Sequence, residues 1–113
     1  MNRVNPITLK YENGATYTLM FDRATVTAAE DDGFKRTDAA EKLMTRVPQL
    51  FYFAFRAKHP EVTREETDRI LFEDLGGVSE DIMGRLLDLF DAPYETLINA
   101  SGKVKNPHLT VKL

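Results

Sequence analysis

An Asn-Gly pair set between two alternating apolar runs is the tightest constraint on what this 113-residue chain can fold into. Ile7, Leu9 and Tyr11 alternate with Thr8 and Lys10, and Tyr17, Leu19 and Phe21 alternate with Thr16, Thr18 and Met20. Period-two alternation of β-branched and aromatic residues around Asn-Gly predicts a β-hairpin over residues 6–21. The register is also decided. A two-residue Asn13-Gly14 turn pairs Tyr11 with Thr16 and puts the two apolar sets on opposite faces. A three-residue Glu12-Asn13-Gly14 loop pairs Tyr11 with Ala15, Leu9 with Tyr17 and Ile7 with Leu19, so both sets share one face. Gly14 is then expected in the left-handed region, closing the loop with a bulge. A hairpin with one apolar face must pack on something, and helical patterns follow.

Asp22 is placed to cap a helix over residues 23–31, with Val26 and Ala29 inward and Gly33 ending it. Thr37 or Asp38 then caps a second, short helix through Leu43-Met44, with Glu41 as capping-box partner of Asp38. The segment PQLFYFAFRAK, residues 48–58, is the most apolar of the chain. Pro48 suits the first turn of a helix. Phe51 and Phe55 stand at i, i+4, Leu50, Ala54 and Ala57 follow 4–3 spacing, and Tyr52 and Phe53 add apolar surface on the remaining sides. Such a helix is central and buried, and His59-Pro60 ends it. Thr63 and Glu66 form a capping box for a helix over 64–74 that Gly76-Gly77 stops. Ser79 caps the next helix, Val78 is placed to staple to Met83, and Ile82, Met83, Leu86, Leu87 and Phe90 make its inner stripe. Pro93 predicts a kink or restart, after which Tyr94, Leu97 and Ile98 resume the stripe to about Asn99. Ser101-Gly102 reads as a turn. Leu109, Val111 and Leu113 alternate with His108, Thr110 and Lys112, which predicts a last strand added to the hairpin.

The expected fold is therefore α+β: a small antiparallel sheet, made of the N-terminal hairpin plus the C-terminal strand, packed against about five helices. No repeat or linker divides the chain, so residues 1–113 read as a single domain.

Composition removes several functions. The chain has no cysteine, which excludes disulfides, thiolate nucleophiles and cysteine-based metal sites. Net charge is −3, so no global basic field attracts nucleic acid or anionic membrane. Nothing approaches the ~18 consecutive apolar residues of a membrane span. Met1 to Lys10 has no apolar h-region, and position 2 is Asn rather than the Gly of a myristoylation signal. His59 and His108 have no ligand-like spacing, and the Glu30-Asp31-Asp32-Gly33 run lacks the Asp spacing of a calcium loop. Ser79 and Ser101 lie outside any nucleophile elbow, and Gly76-Gly77 is not followed by the Lys-Ser/Thr of a phosphate loop. The expectation is a non-enzymatic protein without cofactor or metal, in the cytosol. Charge is uneven. Residues 61–99 hold eleven acids against three arginines, net −8, whereas residues 100–113 hold three lysines and no acid. The ordinary reading is solvated helix faces; an acidic face beside a basic tail can also orient a protein contact. Phe51, Tyr52, Phe53 and Phe55 cannot all face one core, which leaves one or two for a groove or dimer contact.

Three stretches, in this order and spacing, resemble the tail assembly chaperones of long-tailed bacteriophages and of prophages in Gram-positive bacteria. They are ITLKYENGATYTLMFDRATVTAAEDDGF, PQLFYFAFRAKHPEVTREETDRIL and EDLGGVSEDIMGRLLDLFDAPYETL. The resemblance implies a protein that coats the helical tape-measure protein in the bacterial host cytoplasm, helps recruit tail tube subunits, and is absent from the finished virion. Many members are also made in a longer, frameshifted form. The partners so implied are the tape-measure and tail tube proteins, with a homo-oligomer compatible. The family has no catalytic residues to carry over. From periodicity, Phe51, Phe55, Leu86 and Phe90 are the candidate partner-binding residues, with ordinary core as the alternative for each. The competing function is a structural tail or connector component retained in the virion.

Overall fold

The computed structural model describes residues 4–98 and 103–113. The hairpin consists of β1, Ile7–Lys10, and β2, Thr16–Leu19, paired antiparallel with Ile7 opposite Leu19 and Leu9 opposite Tyr17. This is the register that the one-faced apolar pattern demands. The Tyr11 N–H donates to the Ala15 carbonyl at 2.9 Å and the Gly14 N–H to the Tyr11 carbonyl at 3.0 Å, closing the three-residue loop. Gly14 has φ +94°, in the left-handed region.

Helix α1, Arg23–Asp31, starts at Asp22, whose carboxylate accepts from the Thr25 N–H while Thr25 Oγ1 accepts from the Asp22 N–H. Val26 and Ala29 face inward. Helix α2, Leu43–Arg56, is the centre of the molecule and packs against α1, β2 and the two later helices. Helix α3, Arg64–Arg69, is capped by Thr63 and runs on as a π-helical turn, Ile70–Asp74. The wider turn lets the consecutive residues Ile70 and Leu71 both point into the core while Phe72 stays exposed. Helix α4, Glu80–Asp91, is capped by Ser79, whose Oγ accepts from the Ile82 N–H at 3.1 Å. At Pro93 it tightens into a 3-10 turn, Ala92–Thr96, as a residue without an N–H favours.

The core is aromatic. Phe51 and Phe55 meet edge to face at 5.1 Å between ring centres, Tyr17 lies 5.4 Å from Phe55, and Phe90 packs between Phe21 and Phe34 at 5.3 and 4.8 Å. One edge of the hairpin is closed by α2 and the residues after it. The Met20 N–H donates to the Ala54 carbonyl and the Thr18 N–H to His59 Nε2, each at 2.9 Å. A backbone N–H can only donate, so Nε2 is the unprotonated ring nitrogen of His59.

The expected fold needs correction in three places. First, no C-terminal strand joins the sheet: it has two strands, and residues 103–113 are exposed along their length. Leu109, Val111 and Leu113 have strand periodicity but no strand partner among the described residues. The Cα radius of gyration, 16.4 Å, exceeds the ~13 Å of a compact domain this size, as a protruding tail requires. Second, the described residues form four α-helices rather than about five. Arg36–Asp38 is one 3-10 turn, and Leu43-Met44 belongs to α2, which begins five residues before Pro48. Asp38 caps nothing with its carboxylate, because Arg46 holds both oxygens. Pro48 is tolerated inside α2 because its fixed φ is helical and only one ladder bond is lost, to the carbonyl of the exposed Met44. Third, the α4 stripe ends at Tyr94; Leu97 and Ile98 are exposed, and Leu89 takes a core place instead. The Ser101-Gly102 turn and Asn99 lie outside the described residues.

At Gly14 a Cβ would meet nothing within 4 Å, so only backbone strain opposes a side chain there. Gly14→Val is expected to destabilise the protein by about 1–2 kcal/mol, read as a lowered midpoint in thermal or urea unfolding. An unchanged midpoint would remove the positive-φ loop from the account.

Candidate functional site

Two surface features are roomier than the small pocket of about 90 Å³ between α1 and the Pro93 turn: a polar cleft beside α2 and an apolar groove at its N-terminal end. The cleft, about 270 Å³, is lined in part by Asp32, Arg46, Gln49, Tyr52 and Arg64. Arg46 is the organiser. Its Nε and Nη2 donate to the two oxygens of Asp38 at 2.8 and 3.1 Å, and its Nη1 donates to Gln49 Oε1 at 2.9 Å. Gln49 Nε2 donates in turn to the carbonyl and carboxylate of Asp32 at 2.9 and 3.0 Å. Arg64 reaches the same Asp32 carboxylate at 2.8 Å and lies 4.5 Å from the centre of the Tyr52 ring. The chain of contacts joins the end of α1, the 36–38 turn, α2 and α3.

Every charge in this chain of contacts is matched, and no buried side-chain polar atom lacks a partner among the described residues. The Arg64 and Gln49 hydrogen bonds hold the Asp32 carboxyl below its ordinary range, and Arg46 does the same for Asp38. A chain of contacts so satisfied fastens helices together, while Asp68, which also lines the cleft, is exposed and stands outside it. Two phenols act similarly at the periphery. Tyr11 donates to Asp74, tying the hairpin loop to the π turn, and Tyr94 donates to Glu30 at 2.6 Å, tying α1 to the end of α4. The carboxylate acceptors, helped by partial burial, push both phenols up to about 12. The described residues contain no group of three or more side chains suited to hold a metal ion. None of their helices is long and apolar enough to cross a membrane.

The apolar groove, about 370 Å³, lies between the 36–40 turn, α2 and α4 and is lined chiefly by Ala39, Ala40, Leu43, Met83 and Leu87. Arg36 on its rim is paired with Asp91 at 3.2 Å. Leu43 is 54% exposed and the adjacent Met44 86%.

The four residues singled out by periodicity lie elsewhere. Phe51, Phe55, Leu86 and Phe90 are all 1% exposed or less and sit together in the core, so in this conformation they offer a partner no surface. The same period that makes a stripe makes a core, and periodicity alone does not separate the two. The groove residue Leu43 has a sequence signal. The 4–3 spacing of α2, extended back from Leu50, reaches Val47 and then Leu43, and a helix start at Pro48 excludes both.

The fold and these surfaces define a small α+β domain with a helical centre, a two-stranded cap and one apolar groove. By its sequence the chain belongs to DUF5055, a domain family of unknown function, which it matches over residues 2–113. No curated protein and no solved structure matches the chain.

Phe51→Ala is expected to destabilise the fold by ~3–5 kcal/mol, because a fully buried ring leaves a cavity among neighbours that close only partly. Urea unfolding checks this. A loss below ~1 kcal/mol would mean that the ring is not part of a packed core. The aspartate network sets a second expectation. A carboxyl held below its unfolded value of about 3.9 adds stability that is complete above that pH and is lost as pH falls through the folded value. Unfolding midpoints measured from pH 7 down to 2 are therefore expected to fall on the acid side. Arg46→Met should lower the plateau and flatten that acid limb. A limb of unchanged steepness in the variant would show that Asp38 draws no stability from Arg46.

Proposed function

We propose that this protein is a phage tail assembly chaperone that works in the bacterial host cytoplasm, binds apolar helical segments of the tape-measure protein and helps recruit tail tube subunits. The reading rests on the order and spacing of the three sequence stretches and on one structural observation, the apolar groove between α2 and α4. A groove walled by two helices suits an amphipathic client helix laid along it, apolar face down. Its lining supports a client of varied sequence, since Leu43 and Met83 are unbranched at Cβ and methionine adapts its shape to the surface it meets. Reversible coating calls for a modest contact, and a groove of this size rimmed by charged residues such as Arg36 fits that demand.

The reading is tested by co-expressing the protein with the tape-measure protein, followed by pull-down and size-exclusion chromatography. A soluble complex with several copies per tape measure is expected. Leu43→Asp should abolish it while leaving stability within about 0.5 kcal/mol, because Leu43 is more than half exposed. A complex that survives Leu43→Asp would remove the groove from the mechanism. Failure of the wild-type protein to solubilise the tape measure, together with its recovery in finished virions, would replace the chaperone with a structural tail component.

A further inference from the structure

We infer that the outer edge of β1 is a binding site for residues 109–113 of a second copy of this chain, which adds to the hairpin as a third strand. The two edges of the hairpin differ. On β2 the outward N–H groups of Thr18 and Met20 are taken by His59 and Ala54. Because Thr18 points its N–H outward, its partner Thr8 on β1 does the same, and Lys10 follows two residues on. The main-chain N–H and C=O groups of Thr8 and Lys10 have no hydrogen-bond partner among the described residues, and both residues are exposed. The sheet is thus closed on one side and open on the other.

The apolar layer is incomplete on that same side. Leu19 is fully buried, whereas Ile7 opposite it and Leu9 beside it remain half-buried although they share its face. A further strand with its own apolar row would cover them. The chain carries such a row in its exposed tail: Leu109, Val111 and Leu113 are 56%, 62% and 120% exposed. Charge agrees with this occupant. The tail segment 100–113 has three lysines and no acid. Helix α4, which packs along β1, exposes three acids, Glu80, Asp81 and Asp88, against one base, Arg85, which donates to the Asn5 carbonyl just before the strand.

Charge also selects the direction. With Val111 opposite Leu9, an antiparallel strand sets Lys112 against Thr8 and Thr110 against Lys10, whereas a parallel one sets Lys112 against Lys10. The antiparallel arrangement is therefore favoured. It pairs all four open main-chain groups of Thr8 and Lys10. Each copy then carries one donor tail and one acceptor edge, and such a contact closes as a reciprocal dimer or a larger ring, or stays open as a filament. The inference does not rest on the client assigned above.

Sedimentation velocity of the full chain over a wide concentration range tests it. Average mass is expected to rise with concentration above that of the monomer, to a dimer where tails are exchanged reciprocally and further where they are not. Lys112→Pro removes a ladder N–H from the tail, and Thr8→Pro removes an outward N–H from β1 without touching its bonds to β2. Each variant alone is expected to self-associate at least tenfold more weakly. Mixed, they should form a one-to-one dimer through the intact tail of the Thr8→Pro chain and the intact edge of the Lys112→Pro chain. A wild-type monomer at every concentration overturns the inference, and so does association unchanged by Lys112→Pro. Lys112 lies in the exposed tail, so that variant stays informative even where Thr8→Pro unfolds.

Discussion

Burial of α2 is the constraint on which the rest of the structure depends. The helix places Leu50, Phe51, Phe53, Ala54 and Phe55 out of water, on more than one side of its axis. No single neighbour can cover a helix of that kind, so α1, α3, α4 and β2 must all be brought against it. Each large side chain removed from water contributes roughly 1.5–3 kcal/mol, and the aromatic contacts add directional preference to that. The hairpin is a dependent part. Two strands alone are marginal in water, and β1–β2 persists because Tyr17 and Leu19 rest on α2 while Ala54 and His59 hold its edge.

Around this apolar centre the polar groups fix orientation. Arg46, Gln49, Asp32, Asp38 and Arg64 form one continuous chain of contacts across four segments, and the two tyrosine–carboxylate pairs fasten the ends. Hydrophobic burial is indifferent to small rotations of one helix on another. Directional bonds from a planar guanidinium and an amide are not, and they select one arrangement. Apolar surface remains at three places: the groove at the start of α2, the half-covered β1 row and the tail. Contacts with other proteins are the natural use of such surface.

Much of the local structure was legible from particular residues. The hairpin register followed from the requirement that Leu9, Tyr17, Ile7 and Leu19 share a face, and Gly14 followed from the register. Asp22, Thr63 and Ser79 cap the helices that they precede, because a short polar side chain before an apolar-periodic run has few other roles. Proline is common at the first turn of a helix and rare inside, which favours a start at Pro48, yet the interior position is tolerated because a single ladder bond is lost, to the exposed residue Met44. The sequence offers Thr37 or Asp38 as a cap, but Arg46, eight residues beyond Asp38, competes for the same carboxylate. The π turn after Arg69 is invisible to a 3.6-residue period. Phe51, Phe55, Leu86 and Phe90 share the period of the core and are buried in it, the ordinary-core alternative that the same period allows.

What the sequence determined by itself is what short-range chemistry decides: turn type, strand register, helix caps, and which residues must leave water. What only the tertiary structure decided is which of several available partners each group took. Leu109, Val111 and Leu113 have the alternation of a strand, but alternation states only that one face is apolar and not which edge lies within reach. The same holds for Arg46, which had many acids to choose from along the chain and took Asp38, and for Leu43, whose exposure depends on where α4 stops covering α2. Those outcomes depend on distances between segments that no local pattern sets, and such distances exist only once the chain has packed.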